Sequence, residues 1–304
     1  MATIALGLPA TISLTRDHVR RGRRVKNQVA TIGVVSVFTL ALLPLVSVLW
    51  TVLTRGLARF DGEFFTNSMR GVLGEGGGAI HAITGTALIT GATVIMSVPI
   101  GLLTAIYLVE YGKGPFARAV TFLVDVMTGI PSIVAGLFAY AVFSMILGPG
   151  VRSGVAGAIA LTLLMTPVVI RSCEEMLRLV PQDLREASYA LGVSKHRTIR
   201  KIVLPTAMSG IVSGVMIGIA RVVGETAPLL LVAGFTDSMN TNLFSDRMST
   251  LPVFIYSQWA NKGVNAAAYD NRAWTAALVL IAFVLSLNLL SRLVARVFSP
   301  KVSR

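Results

Sequence analysis

Long blocks of apolar residues, separated by shorter polar segments, dominate the pattern along the chain. A helix needs roughly 20 such residues to cross the hydrocarbon core of a bilayer. Six blocks are long enough and poor enough in charge to predict membrane-spanning helices: 29–53, 80–109, 118–147, 154–170, 209–234 and 273–294. The pattern therefore predicts an all-α membrane protein with six transmembrane helices.

Two of these blocks carry signals that change the shape of a helix. In the third block, Gly129 and Pro131 follow closely after Asp125. A proline removes one backbone N–H and kinks a helix, so this block is predicted to be bent or interrupted. In the fifth block, three glycines repeat every fourth residue: Gly210, Gly214 and Gly218. Such a repeat makes one face narrow and is typical of close helix packing.

Composition agrees with the membrane assignment and limits the chemistry. Only 13% of the residues are charged and the mean hydropathy is +0.74, whereas a soluble chain is roughly a quarter charged. The net charge is +13, but the basic residues lie mostly between the apolar blocks, so we expect them to set topology rather than bind nucleic acid. A single cysteine and three scattered histidines exclude an intrachain disulfide and predict no metal site.

The distribution of basic residues predicts which side of the membrane each loop faces. Nineteen Lys and Arg residues lie in the two terminal tails and in the second and fourth loops, whereas seven lie in the other loops. Because basic loops stay cytoplasmic, both termini and the loop 171–208 are predicted to face the cytoplasm.

Two of the three charges that lie away from the ends of the apolar blocks form a candidate site. Arg221 and Glu225 are four residues apart, and on a continuous helix they would share one face near the middle of the bilayer. Arginine suits an oxyanion because its planar, permanently charged fork holds two oxygens at once. The pair could equally be a structural ion pair that neutralises itself, or Glu225 could hold Arg221 and moderate its affinity for an anion.

The loop between the fourth and fifth blocks carries the most specific motif. Pro181-Gln182-Asp183 predicts the start of a helix that runs through Leu191 and stops at Gly192. Residues 195–203 predict a second helix, which Pro205 would end. The motif itself is Glu186-Ala187-Ser188, then Gly192, and then Ile202, Leu204 and Pro205.

These motif residues resemble the hallmark of the membrane-spanning permeases of bacterial ABC importers. The family pattern is Glu-Ala-Ala, a glycine four residues later and Ile-x-Leu-Pro, and only Ser188 departs from it. In the family this loop, here 181–205, is a coupling helix that docks into the ATP-binding subunit. The resemblance therefore assigns the coupling role to seven residues: Glu186, Ala187, Ser188, Gly192, Ile202, Leu204 and Pro205.

Further segments are similar to the phosphate-importer branch of these permeases, in its A-type membrane subunit. They include 98–101, 104–112, 129–138, 224–229 and 251–256, so the resemblance extends over about 70–295. The organisation implied is a basic cytoplasmic tail 1–28, a first helix and outer loop 29–69, a permease core 70–295 and a cytoplasmic tail 296–304. Arg171, at the end of the fourth block, is then either an exit station for phosphate or an arginine that extends towards the membrane surface.

The resemblance also implies which partners the chain needs. No Gly-x-x-x-x-Gly-Lys-Ser/Thr motif occurs in the sequence, so ATP and magnesium are expected on separate ATP-binding cassette subunits, two of them, and no cofactor on this chain. A second homologous permease subunit, membrane lipid and an extracytoplasmic phosphate-binding protein are the other expected partners. The outer loop 235–272 is predicted to form a short surface helix for that binding protein.

These features predict a non-enzymatic transport subunit in the bacterial cytoplasmic membrane. Two alternatives stay open: a permease for another oxyanion such as sulfate, molybdate or phosphonate, and an ion-coupled carrier that uses Arg221 and Glu225 without an ATPase.

Overall fold

The computed structural model describes residues 21–263 and 265–298, and this part of the chain contains α-helices and no β-strand. The helices are α1 (Arg21–Gly56), α2 (Gly62–Thr66), α3 (Ile80–Ile106), α4 (Gly114–Thr128), α5 (Ser132–Leu147), α6 (Gly154–Arg178), α7 (Gln182–Ala190), α8 (Lys195–Thr198), α9 (Leu204–Val223), α10 (Ala227–Val232), α11 (Leu251–Ala260) and α12 (Ala266–Phe298). Two π-helical segments, Tyr107–Tyr111 and Ile199–Val203, follow α3 and α8.

Five helical segments are long and apolar enough to cross a membrane: Val25–Arg59, Ile80–Tyr111, Gly154–Arg178, Lys195–Val223 and Ala266–Leu293. A sixth candidate is the pair α4 and α5, which is bent by 107° at a short break. The predicted all-α fold with six crossings is therefore confirmed when the bent pair counts as one span. The fourth and sixth spans are longer than predicted, because α6 and α12 continue beyond their apolar blocks.

The chain divides into two compact units after Thr51. The described part of the first unit is a single stretch of α1, so residues 21–28 of the predicted N-terminal tail are helical. Residues 1–20 and 299–304, which hold most of both predicted tails, lie outside the described part. The second unit contains α2 to α12, and the predicted boundary between residues 69 and 70 stays a prediction.

The core of the second unit forms where α3, α6 and α9 pack together. Helix α6 is the most enclosed of these helices, and its buried residues include Leu161, Leu164, Met165, Val169 and Cys173. The narrow glycine face of α9 lies against it: a Cβ built on Gly210 would be 2.3 Å from Met176 Sδ, and one on Gly214 2.4 Å from Ser172 Cβ. The packing function of the glycine repeat is therefore confirmed.

The fifth span is not the single helix 209–234 that the apolar pattern predicts. Helix α9 ends at Val223, residues 224–226 are not α-helical, and α10 starts at Ala227. A proline has no N–H to donate and clashes with the carbonyl four residues before it, so Pro228 fits the first turn of a new helix better than the middle of an old one. Helix α10 packs on α5 so closely that a Cβ on Gly136 would lie 2.7 Å from Pro228 Cα.

The end of the unit opposite the 181–205 segment is closed by buried structure. The short helix predicted in the loop 235–272 is present as α11, which exposes Tyr256 and Trp259 but buries Leu251, Val253 and Phe254 completely on its other side. Arg272, assigned to the same loop, belongs to α12 and is fully buried. Its Nη1 donates to Gly74 O at 2.6 Å and its Nε to Gln258 Oε1 at 2.9 Å, which fixes the glycine-rich segment 71–78.

Candidate functional site: the 181–205 segment and the charged groups of the bundle

Helix α7 and the turn after it form the exposed part of the 181–205 segment. Gly192 has φ = +73°, a left-handed conformation that glycine adopts without strain at the end of a helix. The Gly192 N–H donates to Tyr189 O at 2.9 Å, and the Val193 N–H donates to Ser188 O at 3.2 Å. The predicted helix with a glycine stop is therefore confirmed.

The motif residues of this turn differ in exposure. Glu186, Ala187 and Gly192 are exposed, whereas Ser188 is buried and its Oγ lies 2.8 Å from Thr198 Oγ1. The serine that departs from the family pattern thus joins α7 to α8. A Cβ on Gly192 would meet no atom of this chain within 4 Å. Three large apolar side chains on α7 and the turn are also exposed: Leu184, Tyr189 and Leu191.

The second predicted helix of the segment does not end at Pro205. Residues 195–198 are α-helical, 199–203 form a π-helical turn, and α9 follows directly, with Pro205 in its first turn. In the π-turn the Leu204 N–H donates to Ile199 O, five residues back. The wider turn accommodates a proline, which has no N–H and would otherwise clash with the carbonyl four residues before it. Ile202 and Leu204 are half-buried here, and Pro205 is exposed.

A buried ion pair fastens the segment to the end of α3. Arg185, on α7, is 7% exposed, and Glu110, in the π-helical extension of α3, is 8% exposed. Glu110 Oε1 accepts from Arg185 Nη2 at 3.0 Å and from Nε at 3.2 Å. The remaining guanidinium donors reach the carbonyls of Val180 at 2.6 Å and Leu177 at 2.9 Å. The buried charge is therefore paired and well satisfied by hydrogen bonds.

A second cation strengthens this junction. Lys195, at the start of α8, donates through Nζ to Glu110 O and lies 4.6 Å from the centre of the Tyr111 ring. Sequence reasoning missed these contacts, although Arg185 immediately precedes the motif and Glu110-Tyr111 is part of the phosphate-branch resemblance. Both residues are visible in the sequence, but they lie 75 positions apart, so their pairing can be recognised only once the fold is known.

Arg221 and Glu225 come together, but not on one helical face. Arg221 lies in the last turn of α9, and Glu225 lies beyond the helix end, in the break before α10. Arg221 Nε is 4.0 Å from Glu225 Oε1, and the Arg221 side chain is 52% exposed. Because Gly214 contacts Ser172 and Gly218 contacts Met165 and Val169 on the antiparallel α6, Arg221 is level with the middle of α6. The predicted position of Arg221 in the middle of the bilayer stays a prediction.

Arg171 takes part in a chain of alternating charges. Its Nη2 donates to Asp125 Oδ1 on α4, and its Nη1 donates to Glu174 Oε2 at 2.7 Å. Glu174 also accepts from Arg178 Nη2. Arg171 is thus held by two carboxylates, Asp125 and Glu174. Whether this cluster meets a transported anion stays a prediction.

The break between α4 and α5 lies at the predicted position. Helix α4 ends at Thr128, and Gly129 and Pro131 occupy the linker before Ser132. Pro131 has no N–H to donate, and it holds the preceding Ile130 away from the α conformation. The result is the 107° bend between the two helices.

Comparison with known proteins identifies the class to which these features belong. Residues 97–304 match the family described as binding-protein-dependent transport system inner membrane component. The chain is a member of that family. Two solved structures share its fold: a bacterial alginate ABC transporter (TM-score 0.60, 16% identity, 91% of this chain and 99% of that one) and the MetNI methionine ABC transporter in an inward-facing conformation (TM-score 0.55, 21% identity, 73% and 94%).

Within this family the chain groups with phosphate permeases. It is 50% identical to the phosphate transport system permease protein PstA 1 of Mycobacterium tuberculosis strain H37Rv, over 97% of this chain and 95% of the relative. It is 37% identical to PstA of Yersinia pestis, over 97% of this chain and 98% of that one. The resemblance to the phosphate-importer branch is thus confirmed along almost the whole chain.

Proposed function

We propose that this chain is the transmembrane permease subunit of an ATP-driven importer that moves inorganic phosphate across the bacterial cytoplasmic membrane. The similarity to PstA proteins over nearly the whole length supports the cargo. The chain carries no covalent chemistry, and ATP with its magnesium ion binds to separate subunits. Both termini and the 181–205 segment face the cytoplasm, as the basic residues favour.

The observation that carries the proposal is the exposed turn at the end of α7. Gly192 leaves open space, and Leu184, Tyr189 and Leu191 expose apolar surface outside the apolar spans. A partner that docks here covers this surface and approaches the backbone closely at the glycine. We assign the partner as one of two ATP-binding cassette subunits, the other of which binds a second, homologous permease subunit.

The buried junction gives this docking surface a mechanical connection to the spans. Arg185 ties α7 to Glu110 at the end of α3, and Lys195 ties α8 to the same place. A displacement of α7 by the ATPase therefore moves the end of α3 as well. Substitution of Arg185 or Lys195 is expected to uncouple ATP hydrolysis from transport.

The cargo path runs past Arg221 at mid-depth. Arg221 is half exposed and its carboxylate partner is 4.0 Å away, so its guanidinium retains donors for an oxyanion. Glu225 moderates the affinity, because a conduit must bind weakly enough to release its cargo. Arg171 lies further along α6 towards the 181–205 end. An extracytoplasmic phosphate-binding protein delivers the cargo to the opposite end.

Purification and reconstitution test the proposal. The tagged chain, expressed with its neighbours and extracted in mild detergent, is expected to bring an ATPase and a second permease, and the complex in proteoliposomes should accumulate radiolabelled phosphate only with ATP and the binding protein. Competition by unlabelled sulfate, molybdate and phosphonate separates phosphate from the other oxyanions. Accumulation by the lone chain without nucleotide would instead establish an ion-coupled carrier.

A further inference from the structure

A polar cavity of about 470 Å³ opens between α4 and the last turns of α6, at the 181–205 end of the bundle. We call it the α4–α6 basin; its charged and hydroxyl lining consists of Arg118, Thr121, Asp125, Glu174 and Arg178. The first three lie on α4 at spacings of three and four residues, so they share one helical face. The two carboxylates of this lining repel an oxyanion and already pair with arginines. A small oxyanion can therefore bind here only if one carboxylate releases the arginine with which it pairs.

The two carboxylates of the basin differ in how firmly they are held. The Glu174 side chain is 4% exposed and bonds both Arg171 and Arg178. The Asp125 side chain is 61% exposed, and its ion pair with Arg171 joins two different helices. Glu174 is therefore a fixed counterion for Arg171, whereas Asp125 can exchange with another anion.

The two carboxylates, Glu174 and Asp125, accept hydrogen bonds from different nitrogens of the Arg171 guanidinium. Nη1 is occupied by the buried Glu174, and Nη2 bonds Asp125. A phosphate oxygen and a carboxylate oxygen accept from the same N–H groups with similar geometry. A phosphate that reaches the basin therefore competes with Asp125 for Nη2, while Glu174 keeps the arginine in place.

The position of Asp125 also allows it to move. It lies one turn before the break at 129–131, where the helix direction changes by 107°. Within α4 only Val124 is buried, whereas Arg171 and Glu174 belong to the enclosed α6. A small change in the bend therefore moves Asp125 relative to Arg171 without disturbing the core.

We propose that Asp125 is an internal competitor of the cargo: phosphate from the basin replaces it on Arg171, which bonds two of the basin's lining residues, and the return of Asp125 to Arg171 displaces the phosphate into the cytoplasm. The inference rests on the proposed function and adds a release step to it. The role is one of positioning and exchange, since Asp125 repels the cargo and never binds it.

Inhibition of uptake by internal phosphate tests this role. Proteoliposomes of the full complex are loaded with ATP and graded concentrations of phosphate, and the uptake of external labelled phosphate is measured. Asp125→Asn keeps the size of the side chain but removes its charge, so half-inhibition is expected at an internal concentration about tenfold lower, the effect of losing a competing charge-assisted hydrogen bond. Asp125→Glu should restore the wild-type value, and Asp246→Asn, at an exposed aspartate in the opposite loop, should not change it.

A second variant, expected to change the half-inhibitory phosphate concentration in the opposite direction, distinguishes the competitor role from a purely structural effect. Thr121→Asp adds a second carboxylate to the same face of α4 and should raise the half-inhibitory concentration. Wild-type-like inhibition in both Asp125→Asn and Thr121→Asp, with normal uptake by the wild type, would overturn the competitor role and leave the proposed function intact. Absence of ATP-dependent phosphate uptake by the wild type would overturn both.

Discussion

Glu110 and Arg185 form a buried ion pair that joins the end of α3 to α7, with both Nε and Nη2 of the arginine bonded to one carboxylate oxygen. Removing one partner leaves the other charged and buried, so Arg185→Ala and Glu110→Ala should each destabilise the protein by about 3–5 kcal/mol. Thermal unfolding of the purified complex in detergent measures this.

The double variant Glu110→Leu with Arg185→Met provides the control. It removes both charges and keeps the volume apolar, so it should be closer to the wild type in stability than either single substitution. ATP hydrolysis by the complex that contains the double variant should nevertheless be uncoupled from phosphate uptake. Two single effects that simply add in the double variant would show that the residues do not interact.

Gly192→Asp should abolish uptake while the protein still reaches the membrane. The new side chain meets no atom of this chain within 4 Å, so an effect beyond the strain of a positive φ is expected at the contact with the proposed ATPase subunit. Gly150→Asp is the matched control, because Gly150 also has a positive φ, +84°, and open space around it, but lies at the opposite end. Co-purification of the ATPase should be lost only in the first variant. Equal amounts of ATPase in both would argue against docking at this turn.

Arg221→Lys keeps the positive charge and loses the planar fork. If phosphate contacts this arginine, uptake should fall about tenfold, equivalent to ~1.4 kcal/mol, while Arg70→Lys on the exposed outer segment has no effect. Glu225→Gln then separates the two roles of the pair. If Arg221 binds the cargo, the Glu225→Gln variant should still transport phosphate, with tighter binding and slower turnover. If the pair is purely structural, Arg221→Lys and Glu225→Gln should reduce uptake equally.

Gly136→Ala should destabilise the contact between α5 and α10. Its methyl group would lie 2.7 Å from Pro228 Cα, which is backbone and cannot turn aside, so a loss of about 1–3 kcal/mol is expected. Gly129→Ala is the control, since its nearest contact is 3.5 Å and its φ is negative. The difference between their unfolding midpoints measures how much the two broken helices depend on each other. Equal midpoints would mean that the contact adjusts without cost.

The sequence predicted those features that depend on local chemistry. Apolar length identified the spans, Gly192 marked the end of α7, and Pro131 marked the break in the third span. Each of these follows from the conformational limits of a few neighbouring residues.

Features that depend on tertiary context were missed or misplaced. The apolar run 209–234 was predicted as one helix although Pro228 lies within it; α9 stops at Val223, and Pro228 lies in the first turn of α10. Pro205 was predicted to end a helix, yet a π-turn places it in the first turn of another. The Glu110–Arg185 pair joins residues far apart in the chain, so no spacing rule could have found it.

The π-turn ahead of Pro205 has a mechanical meaning. Because helical structure runs from Lys195 to Val223 without a gap, a rod of roughly 40 Å has Lys195 near one tip and Arg221 near the other. If the proposed ATPase subunit tilts the end near Lys195, this continuous helical segment carries Arg221 with it.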